Sequence, residues 1–194
     1  MDINNADSLV QSQDTHLLMN KLVRKRLGGC SADELDGYIV DAYLSLELAM
    51  RGELYTNDGA VVVPNMGQWG RYTDEECHAC LAGAFFVGKV SESLYCADTF
   101  VDSYYSKLDM TLLSFLDGLR FIHTDLFTYR ESLQLILEEL GYEVSYSDQQ
   151  EINVLKEKEN GANIEDNPAL VLYYLRQFIK DNPRLNERLP SVNQ

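Results

Sequence analysis

The chain has 194 residues, 45% of them hydrophobic, and a formal net charge of -15 at pH 7. This length is enough to bury one sizeable core, and no stretch is apolar over the roughly 18 residues that a membrane-spanning helix needs. The charge argues against direct binding to nucleic acid or to membrane phosphates. It favours a partner with a basic surface, with solubility alone as the alternative explanation.

The acidic residues are concentrated in the middle of the chain. Residues 31–150 contain 21 acids and 6 bases, whereas residues 1–30 contain 3 acids and 4 bases. The chain starts with polar and acidic residues, unlike the basic and then apolar start of a signal peptide, so we expect a cytoplasmic protein. Without a secretion signal, its four cysteines are expected to be free thiols.

The first predicted helix runs from about residue 15 to Leu27, before the glycine pair 28–29. Its apolar stripe contains Leu18, Leu22 and Val23. It also carries the only dense basic cluster of the chain, formed by Lys21, Arg24, Lys25 and Arg26. We interpret this cluster as neutralising the acidic middle of the chain or as a solvated face.

The second predicted helix starts with a capping box, Ser31 followed by Glu34, and ends at about Arg51. Apolar residues recur at helical spacing along one face. The other face is predicted to be acidic and to contact a basic partner. Its candidate partner-binding residues are Asp33, Asp36, Asp41 and Glu47.

A short β-hairpin is expected next, because Asp58-Gly59 tolerates the positive φ of a tight turn between two apolar runs. A glycine-rich loop then holds Trp69, the only tryptophan of the chain. We consider Trp69 a candidate anchor for a partner, with a lid on the core as the alternative.

Residues 74–88 are predicted to form a central helix. Thr73 and Glu76 have the spacing of a capping box, and small residues recur at helical spacing, which lets another element approach closely.

Four further helices are expected, over about 108–122, 128–140, 149–160 and 168–181. An alternating run, Tyr142 to Tyr146, could be a strand pairing with the hairpin.

The fold class that follows is mainly α (α+β): a compact helical domain with one small β-hairpin or a short antiparallel sheet. We expect an acidic helical core domain over residues 1–146 and a C-terminal helical pair with a frayed tail over residues 147–194, packed on that core.

The Cys77-His78-Ala79-Cys80 cluster is the most reactive motif. Two thiolates and an imidazole could bind zinc, with Cys30 or Cys96 as a fourth ligand. On a helix, however, His78 would point about 100° away from Cys77. A redox pair is a second alternative, and close packing of small residues is the third, which we favour. No residue set demands catalysis, so we expect no catalytic residues, no bound metal and no cofactor.

Residues Asp74 to Ala84, with the sequence DEECHACLAGA, resemble a Cys-x-x-Cys-Leu-Ala-Gly-Ala helix of small uncharacterised bacteriophage and prophage proteins. The resemblance implies a phage origin and action in the host cytoplasm. It also implies an inhibitor of a host nucleic-acid-handling or defence complex, of the anti-CRISPR or anti-restriction type, in which carboxylates mimic nucleic-acid phosphates.

Three functional hypotheses follow. The first is an acidic module that binds a basic protein surface, such as that of a nucleic-acid-binding host complex. The second is a small thiol- or zinc-dependent protein centred on Cys77 and Cys80. The third is a structural or assembly component that uses its packed helices. The sequence leaves the oligomeric state open.

Overall fold

The structure is a computed structural model that describes residues 30–73, 75–89, 110–124, 126–145, 149–158 and 160–190. The helix predicted over residues 15–27 lies outside these ranges. The α-helices are α1 (Ala32–Met50), α2 (Leu81–Lys89), α3 (Met110–Gly118), α4 (Phe127–Glu139), α5 (Gln149–Lys158), α6 (Pro168–Asp181) and α7 (Pro183–Asn186). The strands are β1 (Val61–Pro64), β2 (Arg71–Tyr72) and β3 (Glu76–Ala79). Short 3₁₀ turns occupy Leu119–Phe121 and Ile164–Asp166.

Helix α1 begins at the predicted capping box. The Glu34 amide donates to Ser31 Oγ over 3.2 Å, and the Ser31 amide donates to Glu34 Oε2 over 2.9 Å. Both bonds satisfy amides that have no partner within the helix. The helix ends at Met50, where Gly52 adopts a φ of +69°. The prediction for this helix is confirmed at both ends.

The three strands form a mixed sheet in the order β1-β3-β2. Strand β3 is central: it pairs in parallel with β1, placing Cys77 opposite Val62, and antiparallel with β2, placing Cys77 opposite Tyr72. The helix predicted over residues 74–88 is therefore wrong in its first half. Thr73 does not cap a helix, because its hydroxyl and amide both donate to the Glu76 carbonyl.

The predicted turn at Asp58-Gly59 is present. The Thr56 amide donates to the Ala60 carbonyl over 2.9 Å, and Gly59 has a φ of +88°. The two sides of the turn meet in a single antiparallel bridge between Tyr55 and Val61, so the antiparallel pairing is brief and β1 continues as a parallel strand.

The second half of the predicted central helix is α2, whose residues Leu81 to Val87 are all buried. Its small residues permit close approaches, as expected. A Cβ at Gly83 would overlap the backbone carbonyl of Trp69, and a Cβ at Gly88 would overlap the Ser45 side chain on α1. These contacts place α2 against both α1 and the loop before β2.

The C-terminal part of the chain shares one hydrophobic core with α1. Leu170, Leu175 and Ile179 of α6 belong to the same buried cluster as Leu35 and Ile39 of α1. Asn167 caps α6 as predicted, because its Oδ1 accepts from the Ala169 and Leu170 amides.

Two predictions near the C-terminus are wrong. Residues 142–145 form no strand, because the Asn182 side chain bonds both the amide and the carbonyl of Glu143, at 2.7 and 2.9 Å. Tyr146 lies outside the described residues. The expected frayed tail starts instead with a buried Asn182 and the short helix α7, whose Leu185 is fully buried.

The described residues thus form a mainly α, α+β fold with one small sheet, which confirms the predicted fold class. The sheet is mixed instead of antiparallel, because β1 pairs in parallel with β3. Among the helices described, none is both long enough and apolar enough to cross a lipid bilayer.

Candidate functional site

The two cysteines of the Cys77-x-x-Cys80 motif lie in different parts of the core. Cys77 points from β3 into a small cluster beneath the sheet, with Val62 and Phe86, whereas Cys80 belongs to the main core. Neighbouring residues of a strand point to opposite faces, so His78 is turned away from Cys77. His78 instead has its Nε2 atom 3.2 Å from Glu76 Oε2.

Burial makes both thiols unreactive. It raises the pKa of Cys77 to about 11, against a smaller lowering by the neighbouring Tyr72 hydroxyl. Burial and the adjacent Asp117 carboxylate raise the pKa of Cys80 to about 12. Because the thiolate is the nucleophile and the metal ligand, both side chains are protonated and inert at neutral pH.

The described residues contain no group of three His, Cys, Asp or Glu side chains that could hold a metal ion. Cys30, one of the proposed fourth ligands, packs partly against the main core, and burial raises its pKa. Cys96, the other proposed ligand, lies outside the described residues. The geometry of the motif thus favours close packing over zinc binding and over redox chemistry.

Asp117 and Arg120 form a largely buried ion pair, with 3.3 Å between Asp117 Oδ2 and Arg120 Nε. The guanidinium also donates to the Met66 carbonyl and stacks on Phe121, 4.5 Å from the ring centroid. Burial raises the pKa of the Asp117 carboxyl, and the nearby Arg120 opposes this rise. The pair ties the end of α3 to the loop after β1, so we assign it a structural role.

His123 is a second buried titratable group. It is 4% exposed and packs on Tyr174 with ring centroids 4.5 Å apart. Burial, with a contribution from Arg130, lowers its pKa to about 4. Asp181 and Glu151 act in the opposite direction but more weakly. The imidazole is therefore neutral at pH 7, and it does not lie on the motif of Cys77 and Cys80.

The four acids predicted to bind a partner do not form one exposed face of α1. Asp36 is the clearest departure: it is 3% exposed, accepts from the Tyr142 hydroxyl at 2.8 Å and pairs with Arg184 at 3.3 Å. It follows that the predicted position of Asp36 on a solvent-facing acidic surface is wrong. A signal for this burial was present, because helical geometry places Asp36 between Val40 and Tyr43, both apolar.

The other three acids of α1 also have partners within the chain. Asp33 pairs with Arg188, and Asp41 Oδ2 lies 2.6 Å from Lys89 Nζ. Glu47 accepts from the Tyr43 hydroxyl at 3.3 Å. These contacts neutralise or occupy carboxylates that we had expected to be available to a partner.

Trp69, the predicted anchor, is 37% exposed on the loop before β2. Its backbone carbonyl packs against Gly83 of α2, so the loop is held close to the core. Its role in binding a partner stays a prediction.

A more exposed acidic and apolar surface lies on α4. Leu135 is 49% exposed although it is in the middle of the helix. Glu131, Glu138 and Glu139 stand four residues before it and three and four after it, and all three are exposed. Residues at these spacings are neighbours on a helix surface, so the glutamates surround the leucine. We call Glu131, Leu135, Glu138 and Glu139 the α4 surface.

Two glutamates of the α4 surface also destabilise helix α4 itself. Glu138 and Glu139 are the last two residues of α4, and its last turn contains no base. The C-terminus of a helix bears partial negative charge, so carboxylates there are destabilising and cations are stabilising. This surface is not among the predictions from the sequence. The available signal was Leu135, which lies off the buried stripe of Leu133, Ile136 and Leu137.

Comparison with known proteins found no match to this chain among protein-family models, curated proteins or solved structures. The assignment of function consequently depends on the geometry of the described residues.

Proposed function

We propose that this protein is an acidic protein-binding module that engages a basic protein surface through α4. The observation that carries the proposal is the exposed Leu135 with its three surrounding glutamates. An apolar centre within a charged rim is the usual organisation of a protein interface. We place the binding surface on α4 instead of α1, because Asp36 of α1 is buried, whereas all three glutamates around Leu135 are exposed.

The charge of α4 supports a basic partner. Glu138 already accepts from Gln134 Nε2 at 2.6 Å and is exposed. A lysine or arginine brought near it would add an ion pair and also complement the negative end of the helix. Electrostatic attraction of this kind mainly speeds association and selects the partner, whereas burial of the apolar centre slows dissociation. A host complex that handles nucleic acid has such a surface, and the resemblance of residues 74–84 to phage proteins extends the proposal to inhibition of that complex.

The contribution expected from Leu135 is modest but measurable. Burying a whole leucine side chain contributes about 1.5–3 kcal/mol, so covering its exposed half contributes roughly 1 kcal/mol, or about fivefold in Kd. Charge reversal at Glu131 and Glu138 should have a larger effect at low salt and a small one at high salt.

The test is affinity capture of a partner from host lysate by the full chain, at about 50 mM and about 500 mM NaCl. The partner is then identified by mass spectrometry and its affinity measured with purified proteins. Leu135→Ser and the double variant Glu131→Lys/Glu138→Lys should weaken binding of that same partner. Val154→Ser on α5 is the matched control, since Val154 is also 49% exposed and apolar. Equal binding by all variants, or binding that salt does not affect, would refute the proposal.

A further inference from the structure

Helix α5 is followed by a turn in which two successive residues have positive φ angles. Asn160 has a φ of +58° and Gly161 a φ of +72°. Among the described residues, Asn160 is the only residue other than glycine with a positive φ. The Gly161 amide donates to the Lys156 carbonyl over 2.5 Å, which is the bond that closes a helix end of the Schellman type. Asparagine tolerates this position, but its Cβ makes the conformation less stable than it is for glycine.

The order of these two residues also has a chemical consequence. Asn160-Gly161 is the only place in the chain where glycine follows asparagine. The side-chain carbonyl carbon of an asparagine can be attacked by the backbone nitrogen of the next residue, and a side chain on that next residue hinders the attack. Gly161 has no side chain, and no other described residue, its chain neighbours aside, has an atom within 4 Å of the position a Cβ would take. Both residues are exposed, so water and hydroxide reach the turn.

We propose that Asn160 is a modification site at which the protein deamidates spontaneously, and that the reaction releases the C-terminal end of α5. Hydroxide removes the Gly161 amide proton, and the nitrogen then forms a bond to Asn160 Cγ. The Cγ–Nδ2 bond breaks and ammonia leaves, which gives a cyclic succinimide. Water then opens the ring at either carbonyl, and the product is aspartate or isoaspartate. The proposal is independent of the function proposed for α4.

The reaction uses the same nitrogen atom that closes the helix end. In the succinimide the Gly161 nitrogen carries no hydrogen, so the hydrogen bond to the Lys156 carbonyl is lost. The ring also holds the ψ angle of Asn160 outside the left-handed region. Isoaspartate adds a methylene group to the main chain, so the original turn cannot form again after the ring opens.

The last turn of α5 depends on this closure more than the first turn does. Ile152 and Leu155 pack on the main core, and the Tyr173 hydroxyl of α6 donates to Glu151 in the first turn. Beyond Leu155 the helix contains only charged residues, so little apolar surface holds its last turn in place. We therefore expect the modification to fray the C-terminal part of α5 and to leave its first turn attached.

The test is peptide mapping by mass spectrometry of the full-length protein after ageing at physiological temperature in mildly alkaline buffer. Chromatography separates the aspartate and isoaspartate peptides. Asn163 is the matched internal control, since it is exposed in the same connection but precedes Ile164. We expect Asn160 to convert at least about tenfold faster than Asn163, because only Gly161 lacks a Cβ. Conversion at Asn160 that is no faster than at Asn163 would overturn the proposal.

Asn160→Gly provides the second measurement, because glycine keeps the positive φ at the helix end and cannot deamidate. Hydrogen–deuterium exchange over residues 149–158 should accelerate in aged wild type in proportion to the modified fraction, and should not change in the aged variant. Modified wild type with unchanged exchange would refute the release of the helix end, as would equal acceleration in the variant. Neither measurement involves a partner, so failure here leaves the proposed function to its own binding test.

Discussion

Replacing His123 with phenylalanine should make the protein less sensitive to mild acid. His123 is buried against Tyr174, and its Nδ1 atom has no hydrogen-bond partner among the described residues. The groups that face it are Arg130 on α4, Glu151 on α5 and Asp181 on α6. Phenylalanine keeps a ring of similar size against Tyr174 and cannot take up a proton.

The sign of the pH dependence follows from the lowered pKa. The His123 side chain has a pKa near 6.5 in the unfolded chain and about 4 in the folded protein. Below pH 6.5 the unfolded state therefore binds the proton more readily, and stability is lost as the pH falls from 6.5 to about 4. Each unit of pKa difference is worth about 1.4 kcal/mol, so the loss between about pH 7.5 and about pH 5 is roughly 2 kcal/mol.

Urea unfolding of wild type and His123→Phe at several pH values measures this contribution. Other carboxyl groups also titrate in this range, so the informative quantity is the difference in unfolding free energy between the two proteins. We expect the variant to gain roughly 2 kcal/mol relative to wild type between about pH 7.5 and about pH 5. Two profiles that stay parallel within about 0.5 kcal/mol would refute the assignment of His123 as a buried neutral histidine.

Two further predictions concern stability. Gly83→Ala should destabilise the protein by about 2 kcal/mol or more, because the added methyl group overlaps the backbone of Trp69. Gly67→Ala, where a Cβ makes only an ordinary contact, is the control, and equal thermal shifts for the two variants would contradict the packing described for α2. Asp36→Ala should cost about 2 kcal/mol, since it removes the acceptor of the buried Tyr142 hydroxyl and the partner of the half-exposed Arg184. Asp33→Ala, on an exposed ion pair, should cost less than about 1 kcal/mol in the same urea unfolding assay, and the reverse order would contradict the burial of Asp36.

Local signals in the sequence identified several elements correctly. The capping box of Ser31 and Glu34 and the cap at Asn167 each involve atoms within three residues of one another. Gly52 and Gly59 mark positions of positive φ that other residues rarely adopt. Such features are decided by short-range sterics and hydrogen bonding, so they could be predicted without knowledge of the rest of the fold.

Residues 76–79 could not be predicted in this way. The small side chains of residues 76–79 and the acids before them are compatible with a helix. These residues nevertheless form β3, the central strand of the sheet. The reason is pairing on both sides, with Val61–Pro64 and with Arg71–Tyr72. Backbone hydrogen bonds from two neighbours outweigh a weak local preference, and the partner β1 lies 15 residues before β3, beyond the reach of helical spacing.

The sequence by itself determined the net charge of the chain, the helix caps at Ser31 and Asn167, the turns at Gly52 and Gly59, and the mainly α class. Only the tertiary structure decided which acids are exposed. Asp36 is buried because Tyr142 and Arg184, more than 100 residues away in sequence, converge on its carboxylate. Glu131, Glu138 and Glu139 stay at the surface around Leu135 because the core contacts only the opposite side of α4. The net charge follows from the sequence alone. Whether a charged side chain is exposed to a partner depends on which distant side chains pack against it in the folded protein.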